Sequence, residues 1–277
     1  MRRFTLRVFL AAAFGLVAGL VWRAAPAQAE SEVDLALVLA VDISFSMDPD
    51  EQTLQREGFI EAFRSSVVQD AIRRGVIGRI AVTYMEWAGS GDQRVVVPWA
   101  LIDTPESAAA FAEALAARPA RRAARTSISG AIDFAVKLLA ESSFATNRQV
   151  IDVSGDGPNN QGRPVLAARA DAIARGITIN GLPIMLKAPG YFDIADLDIY
   201  YRDCVIGGQG AFMVPARERD QFRDAVKTKI MLEVAGLSGT KMKEAAPAGS
   251  LVEPAQAEDK QGSCLAGEMQ WRDRMGN

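Results

Sequence analysis

A nearly continuous apolar run at positions 33–41, VDLALVLAV, constrains the fold more than any other part of this sequence. A stretch rich in Val and Leu, without alternating polar residues, is typical of a strand that is buried on both faces. Such strands belong to parallel sheets that are covered by helices on both sides. Strand and helix patterns alternate along the rest of the chain, as this arrangement requires.

Apolar segments bounded by turn residues predict the remaining strands. The predicted strands cover residues 33–41, 80–87, 94–99, 150–154, 177–185 and 211–214. The predicted helices cover residues 49–65, 67–74, 104–117, 127–141, 164–175 and 218–234. A Gly-rich turn at 89–92 makes the second and third strands an antiparallel hairpin at a sheet edge. We therefore predict an α/β fold with a doubly wound, mostly parallel six-stranded sheet, helices on both faces and one antiparallel edge strand.

The first 29 residues are organised like a secretory signal peptide. Three arginines precede an apolar run at 8–22, and Ala27-Gln28-Ala29 fits the pattern of small residues at a cleavage site. The apolar run is shorter than the roughly 20 residues that span a membrane, which disfavours an uncleaved anchor. We predict cleavage after Ala29 and a mature chain that begins at Glu30.

Cleavage would leave an acidic protein outside the cytoplasm. It removes four arginines and no acidic residue, which leaves 27 basic against 34 acidic residues, a formal charge of −7. This charge argues against a general binder of nucleic acid or of anionic membranes. No later segment has the length or polarity of a membrane span. We predict a periplasmic or secreted protein with one domain at 30–236 and a flexible, Lys-, Glu-, Ala-, Pro- and Gly-rich tail at 237–277.

The chain contains no histidine and only two cysteines. It therefore cannot use a Ser-His-Asp or Cys-His nucleophile system, and it cannot bind zinc or haem iron through histidine. Two cysteines cannot form a four-cysteine zinc site. Carboxylate, hydroxyl and amide oxygens remain, and these suit hard cations such as Mg²⁺, Mn²⁺ or Ca²⁺.

Five oxygen-bearing side chains follow predicted strands or begin a helix at the carboxyl edge of the sheet, where ligands of such folds bind. They are Asp42, Ser44 and Ser46 after the first strand, Thr126 before a helix, and Asp156 after the 150–154 strand. Alternate residues of an extended segment point the same way, so the first three can share one target. Two carboxylates and three hydroxyls form a weakly charged set of ligands that suits Mg²⁺, which usually keeps part of its water shell.

This pattern resembles the metal-ion-dependent adhesion site of von Willebrand factor A-type domains, which combines Asp-x-Ser-x-Ser with a Thr and an Asp on two further loops. The resemblance implies one Mg²⁺ or Mn²⁺ ion, with Ser44 and Ser46 as direct ligands and Asp42 and Asp156 acting largely through water. It also implies a protein partner whose acidic residue completes the metal shell. The stretches VIDVSGDGPNN and YYRDCVIGGQGAF are more narrowly similar to exported bacterial proteins of unknown function that carry such a domain.

The sequence departs from that pattern where Ala124 and Arg125 replace the glycines usual before the Thr. Arg125 could supply a docking charge, or its guanidinium could fill the acidic pocket when no metal is bound. Other polar residues could form a rim around the ligand or serve the loops structurally. These residues are Arg121, Arg122, Arg125, Asn159 and Asn160.

The sequence leaves three functions open. The leading hypothesis is a non-enzymatic, divalent-metal-dependent protein-binding module. An A-type scaffold that binds no metal is the first alternative. A metal-dependent phosphohydrolase is the second, because Asp42 ends the first strand of a doubly wound sheet. Against the enzyme, Ser44 stands where common aspartyl phosphatases carry a second aspartate, and no lysine is evident in a matching loop.

The two cysteines, Cys204 and Cys264, lie one in the domain and one in the tail. An oxidising compartment favours a disulfide between them, which would tie the tail to the domain. Two free thiols and an intermolecular bridge through Cys264 are the alternatives.

Overall fold

The structure, a computed structural model, describes residues 31–190, 194–236, 252–255 and 264–275. The predicted signal peptide lies outside the described residues. The strands are β1 (Ser31–Glu32), β2 (Leu35–Asp42), β3 (Ile80–Trp87), β4 (Gln93–Ile102), β5 (Phe144–Ala145), β6 (Gln149–Gly155), β7 (Thr178–Pro183), β8 (Phe212–Met213) and β9 (Glu253–Pro254). The helices are α1 (Pro49–Arg64), α2 (Ser66–Arg73), α3 (Pro105–Ala116), α4 (Ile128–Ala140), α5 (Val165–Ile173), α6 (Leu197–Tyr200), α7 (Phe222–Ala235) and α8 (Ala266–Met275), and a π-helical turn (Tyr201–Val205) continues α6.

Within the described residues, seven strands form the main sheet in the order β4-β3-β2-β6-β7-β8-β9. The five strands from β3 to β8 run parallel, and β4 and β9 are antiparallel to them at the two edges. The strands β1 and β5 pair separately as a short parallel ribbon. The predicted α/β class and doubly wound, mostly parallel sheet are therefore confirmed.

The apolar run that predicted the first strand is buried on both faces, as expected. Leu35, Leu37 and Leu39 of β2 face a core layer that includes residues of α1, α2, α3 and α7. The alternate residues Ala36 and Val38 face a second layer built from α4, α5 and the π-helical turn. This division explains why β2 shows no polar alternation, because neither of its faces reaches water.

Local sequence determines where α1 begins. The Asp48 carboxylate accepts a hydrogen bond from the Glu51 N–H at 2.7 Å, and the Glu51 carboxylate accepts one from the Asp48 N–H at 2.9 Å. Pro49 occupies the first helical position, where its missing N–H is not needed. This reciprocal cap fixes the path of the chain directly after the 42–46 loop.

The sequence predicts six strands, which is one fewer than the main sheet contains. The additional strand, β9, comes from the segment that we expected to be a flexible tail, and it pairs with β8 through Pro254 opposite Phe212. A two-residue strand carries no period that sequence reasoning can detect. The described part of the tail also contains α8, so these residues are ordered against the domain rather than free.

The disulfide expected between Cys204 and Cys264 is present, with the two Cα atoms 5.4 Å apart. It joins the π-helical turn to the residues directly before α8, and both cysteines are buried. The bridge thereby holds α8 against the same end of the domain as the carboxyl edge of the sheet. Among the described residues, no helix is both long enough and apolar enough to cross a membrane.

Candidate functional site

The five predicted site residues lie where the winding of the sheet reverses. The strands β2 and β6 are neighbours, but β2 continues into α1 on one face and β6 into α5 on the other. Adjacent strands whose connections leave on opposite faces open a crevice at their carboxyl ends. Asp42 is the last residue of β2, and Asp156 directly follows β6, so both carboxylates stand at this crevice.

Four of the five residues are linked in series by short hydrogen bonds. The Asp42 Oδ1 atom accepts from the Ser44 N–H at 2.7 Å. The hydroxyl oxygens of Ser44 and Ser46 lie 2.7 Å apart, and the Ser46 hydroxyl donates to Asp156 Oδ1 at 2.6 Å. Residues that are 110 positions apart in the sequence therefore meet directly.

The fifth residue, Thr126, reaches the same space from the loop before α4. Its N–H donates to Asn160 Oδ1 at 2.9 Å, and the Asn160 N–H donates to the Thr126 carbonyl at 2.8 Å. A methyl group placed on Gly157 would lie 3.8 Å from the Ser46 hydroxyl oxygen and 4.0 Å from that of Thr126. The structure thus brings all five predicted side chains around one small volume.

Burial makes the carboxylates of this site costly to ionise. Burial raises the pKa of Asp42 well above its ordinary value, and the negative charge of Asp156 raises it further. Burial also raises the pKa of Asp156, and its hydrogen bond from Lys187 offsets only part of that effect. Asp42 Oδ2 is buried and has no hydrogen-bond partner among the described residues. Both observations indicate a site that a cation would stabilise.

The donor set fits a small hard cation. Cis oxygen ligands of an octahedral Mg²⁺ ion stand about 2.9 Å apart, given its metal–oxygen distances of about 2.1 Å. The separation of 2.7 Å between the Ser44 and Ser46 hydroxyl oxygens is close to that value. No cluster of three or more acidic, histidine or cysteine side chains suited to a metal occurs in the described part of the chain. The site is instead a mixture of two carboxylates and three hydroxyls.

The site also contains a lysine that sequence reasoning missed. The Lys187 Nζ atom lies 2.8 Å from Asp156 Oδ2 and 3.1 Å from Glu51 Oε2, and it also donates to the Ser46 carbonyl. The statement that no lysine lies in a matching loop is therefore wrong. Lys187 follows β7 at the same edge of the sheet, so the rule that located the other loops also applied to this one.

Of the three predicted rim arginines, each contacts another part of the protein. Arg121 pairs with Asp92 at 3.3 Å. Arg122 donates to the carbonyl oxygens of Phe45 and Met47 at 3.0 and 2.6 Å, and so braces the loop that carries Ser44 and Ser46. These contacts show how the arginines hold the site loops in place. A role as a ligand rim stays a prediction.

Arg125 does not fill the acidic pocket. Its guanidinium stacks on the Trp271 ring of α8, 3.6 Å from the ring centroid. Its φ of 75° lies in the left-handed region that glycine normally occupies, so the departure from the family pattern carries backbone strain. The stack with Trp271 offsets part of that strain. Of the two roles open to Arg125, filling the acidic pocket does not occur in this structure, because Lys187 takes that position, and supplying a docking charge stays a prediction.

Asn159 connects the site loops to the C-terminal helix and does not face the ligand space. It is fully buried; its Oδ1 accepts from the Ser129 N–H at 3.0 Å, and its Nδ2 donates to Glu268 of α8 at 2.8 Å. Asn160, through its bonds with Thr126, holds the second loop beside the third. Both asparagines therefore act as structural links between loops.

The fold and this arrangement define the class of protein. Solved structures similar to this chain include a von Willebrand factor type A structure from Catenulispora acidiphila, with 17% identity, a TM-score of 0.50, and coverage of 73% of this chain and 43% of that one. The pilus adhesin SpaC from Lactobacillus rhamnosus GG gives 13% identity, a TM-score of 0.55 and coverage of 73% and 31%. Proximal thread matrix protein 1 from the mussel byssus has 12% identity and a TM-score of 0.54, and the match covers 74% of this chain and 49% of that one. The domain has the von Willebrand factor A-type fold, and the chain spans less than half the length of each of these neighbours.

Residues 32–238 match the family described as "Protein of unknown function (DUF1194)", and the chain belongs to that family. No curated protein sequence is significantly similar to the chain. The family description assigns no activity, so the site itself must carry the functional argument.

Proposed function

We propose that this protein is a divalent-cation-dependent protein-binding module. One Mg²⁺ or Mn²⁺ ion would be held at the carboxyl edge of the sheet, and an acidic residue of a partner protein would complete its shell. The residues that would hold the ion are Asp42, Ser44, Ser46, Thr126 and Asp156. The bound ion would supply a positive charge and an open ligand position, and the protein would supply the fixed loops around them.

The observation that carries this proposal is the buried, unpartnered Oδ2 atom of Asp42 beside a second buried carboxylate, Asp156. Two such groups disfavour each other's ionisation in the absence of a cation. An ion bound by the serine hydroxyls would neutralise both, directly or through water, and so account for their burial. In a scaffold without metal, Lys187 would pair with Asp156, but among the described residues no cation would contact Asp42.

The surroundings of the site support a protein ligand. Phe45, between the two serines, is 60% exposed, and the Arg122 guanidinium lies 5.3 Å from the centre of its ring. An aromatic ring and a cation beside an open metal position can contact an acidic segment of a partner. One structural neighbour is a pilus adhesin, which is consistent with adhesion by this fold.

The phosphohydrolase alternative gains a lysine from the structure but is less well supported. Lys187 beside Asp156 resembles the cation that such an enzyme needs near its acids. However, Asp42 is fully buried, its Oδ1 is bonded to the Ser44 N–H, and its Oδ2 faces Gly155. A nucleophilic carboxylate must itself bond to phosphorus and needs an open face toward the phosphoryl group, which this geometry does not give Asp42. A carboxylate that stabilises an ion can act through its charge or through a water molecule, so the burial of Asp42 disfavours the enzyme more than the metal site. We therefore prefer the binding module.

The proposal is tested with Asp42→Asn, which preserves the size of the side chain and the acceptor for the Ser44 N–H. We expect the affinity for Mg²⁺, measured by titration calorimetry, to fall at least about tenfold, because a charged group beside the ion is lost. The melting temperature without metal should stay equal or rise, since the substitution removes a buried charge.

Asp133→Asn is the matched control, because Asp133 is an exposed acid on α4 that pairs with Arg163 away from the site. It should leave the affinity for Mg²⁺ unchanged. Equal affinity for Mg²⁺ in wild type and Asp42→Asn would contradict the proposal and favour the metal-free scaffold.

We further propose export to the periplasm or the medium, with a domain bounded by residues 30–236. The buried disulfide supports an oxidising compartment. The family match over 32–238 supports these bounds, and β9 and α8 join the domain from beyond them.

A further inference from the structure

The Lys187 side chain lies among the acids of the site, and each of the three hydrogen-bond donors of its ammonium group has an acceptor. An ammonium group has three donors, and in this structure they meet three acceptors: Asp156 Oδ2, Glu51 Oε2 and the Ser46 carbonyl. The acceptors come from the loop after β6, from α1 and from the loop after β2. One side chain therefore joins two of the candidate metal loops to the first helix.

The backbone around Lys187 is fixed at the edge of the sheet. Ile184 forms a parallel bridge with Ala216, and the Met185 N–H donates to the Ala216 carbonyl at 2.8 Å. Leu186 packs against the first core layer. These contacts hold the backbone in place up to residue 186. The fold therefore positions the Lys187 ammonium group beside the acids.

The formal charges around this position do not cancel without a further cation. Asp42, Asp156 and Glu51 are buried acids, and in the described residues Lys187 is the cation whose charged atom contacts any of them. Three carboxylates and one ammonium leave a formal charge of −2, which one divalent ion would neutralise. Lys187 therefore supplies one third of the positive charge that the site requires.

We propose that Lys187 is a resident cation that sets the affinity of the site for metal. It holds Asp156 when no metal is bound, and its positive charge opposes the entry of a divalent ion. The occupied site would be formally neutral with Lys187 and negative without it, so the lysine also keeps the occupied site receptive to a partner's carboxylate. This inference rests on the proposed metal site and names the residue that tunes it.

The test is Lys187→Met, which retains much of the length of the side chain and removes its charge. We expect the affinity for Mg²⁺, measured by titration calorimetry, to rise roughly tenfold or more, since a like charge near the ion is lost. Without metal, the melting temperature should fall below that of wild type, because Asp156 and Glu51 lose their ion pairs. Addition of Mg²⁺ should then raise the melting temperature of the variant more than that of wild type.

Lys227→Met is the matched control. Lys227 is similarly exposed, at 35% against 33% for the Lys187 side chain, and it pairs with Asp224 on the same helix, α7. It should change neither the affinity for metal nor the response of the melting temperature to Mg²⁺.

The outcomes separate this inference from the proposed function. If wild type binds Mg²⁺ and Lys187→Met binds it equally or more weakly, the resident-cation role is overturned and the metal site stands. If only the variant binds Mg²⁺, Lys187 replaces the metal in the natural protein, which upholds the inference and overturns the proposed metal dependence. If neither protein binds Mg²⁺, both are overturned.

Discussion

At the scale of single residues, Gly155 determines whether the Asp42 carboxylate can occupy its place. A Cβ atom at position 155 would lie 2.7 Å from Asp42 Oδ2 and 3.1 Å from the Tyr201 hydroxyl oxygen. Both groups are buried, and neither oxygen has a hydrogen-bond partner among the described residues. Gly155 is therefore required by the close approach of Asp42, although its own backbone conformation is ordinary.

We expect Gly155→Ala to displace the Asp42 carboxylate and so weaken Mg²⁺ binding several-fold. The overlap should also cost about 1–3 kcal/mol of the free energy of unfolding, the range for overpacked interiors. Calorimetric titration and urea unfolding measure the two effects. Gly91→Ala is the control, because no atom lies within 4 Å of the methyl group that it adds. Wild-type affinity in Gly155→Ala would show that Asp42 does not contribute to the metal site.

Tyr201 and Glu51 are further residues of the site whose roles the sequence did not reveal. Burial raises the pKa of Tyr201 well above its ordinary value, and the charges of Asp42 and Asp156 raise it further. The phenol therefore stays neutral beside the acids. The Glu51 carboxylate completes the reciprocal cap of α1, and it also accepts a hydrogen bond from Lys187. A capping motif identifies the local role of a residue but not its second contact across the fold.

At the scale of the elements, α8 is held to the candidate site by covalent and noncovalent contacts. The disulfide fixes its beginning, Glu268 accepts from Asn159, and Trp271 stacks on Arg125. Gly267 allows the helix to approach closely, because a Cβ atom there would overlap the Asn159 carbonyl. The two loops that carry Thr126 and Asp156 are therefore braced by an element from the far end of the sequence.

We expect Cys264→Ser to release α8. The disulfide closes a separation of 60 residues, so its loss should cost at most about 4 kcal/mol in the loop-entropy model. Hydrogen exchange should show lost protection of the amides of residues 266–275, with smaller changes in the strands of the sheet. Trp271→Ala, which keeps the disulfide, serves as the comparison and should loosen Arg125 alone. Unchanged protection of α8 in Cys264→Ser would mean that its noncovalent contacts suffice.

A second element-scale feature is the ion cluster inside the first core layer. Asp152, in the middle of β6, pairs with Lys229 of α7 at 2.9 Å, and Lys229 pairs with Glu233 at 2.7 Å. Asn180 of β7 donates to Glu233 at 2.7 Å. A carboxylate within a buried strand needs such partners. This cluster joins α7 to the centre of the sheet on the face opposite α5.

At the scale of the whole molecule, the predicted signal peptide at residues 1–29 would direct the protein out of the cytoplasm. We expect the protein, expressed in a secretion-competent bacterium, to be recovered with an intact mass that begins at Glu30. Ala29→Leu places a bulky residue at the cleavage site and should leave the leader attached. Full-length protein in the soluble fraction would contradict export with cleavage after Ala29.

The elements with strong local patterns were predictable from the sequence. The run at 33–41 corresponds to β2, the 80–87 prediction coincides with β3, and the helix predicted at 49–65 is α1. The oxygen-bearing side chains of the site were also identified in advance, because the carboxyl ends of neighbouring parallel strands meet at one edge. These inferences succeed because apolar periodicity and capping depend on residues that are close in the sequence.

The sequence by itself thus determined the A-type class of fold, the order of most elements and the five residues that converge at the switch point. Only the tertiary structure decided which basic side chain pairs with the acids of the site. Lys187 meets Ser46 from 141 residues away and Asp156 from 31, and Arg125, the nearer candidate in the sequence, turns instead to Trp271. The path of each loop depends on packing against distant elements, such as Ala216 beside Met185 and the disulfide-held α8. Local sequence patterns do not predict such contacts, because their energy arises only when the sheet and its helices are assembled.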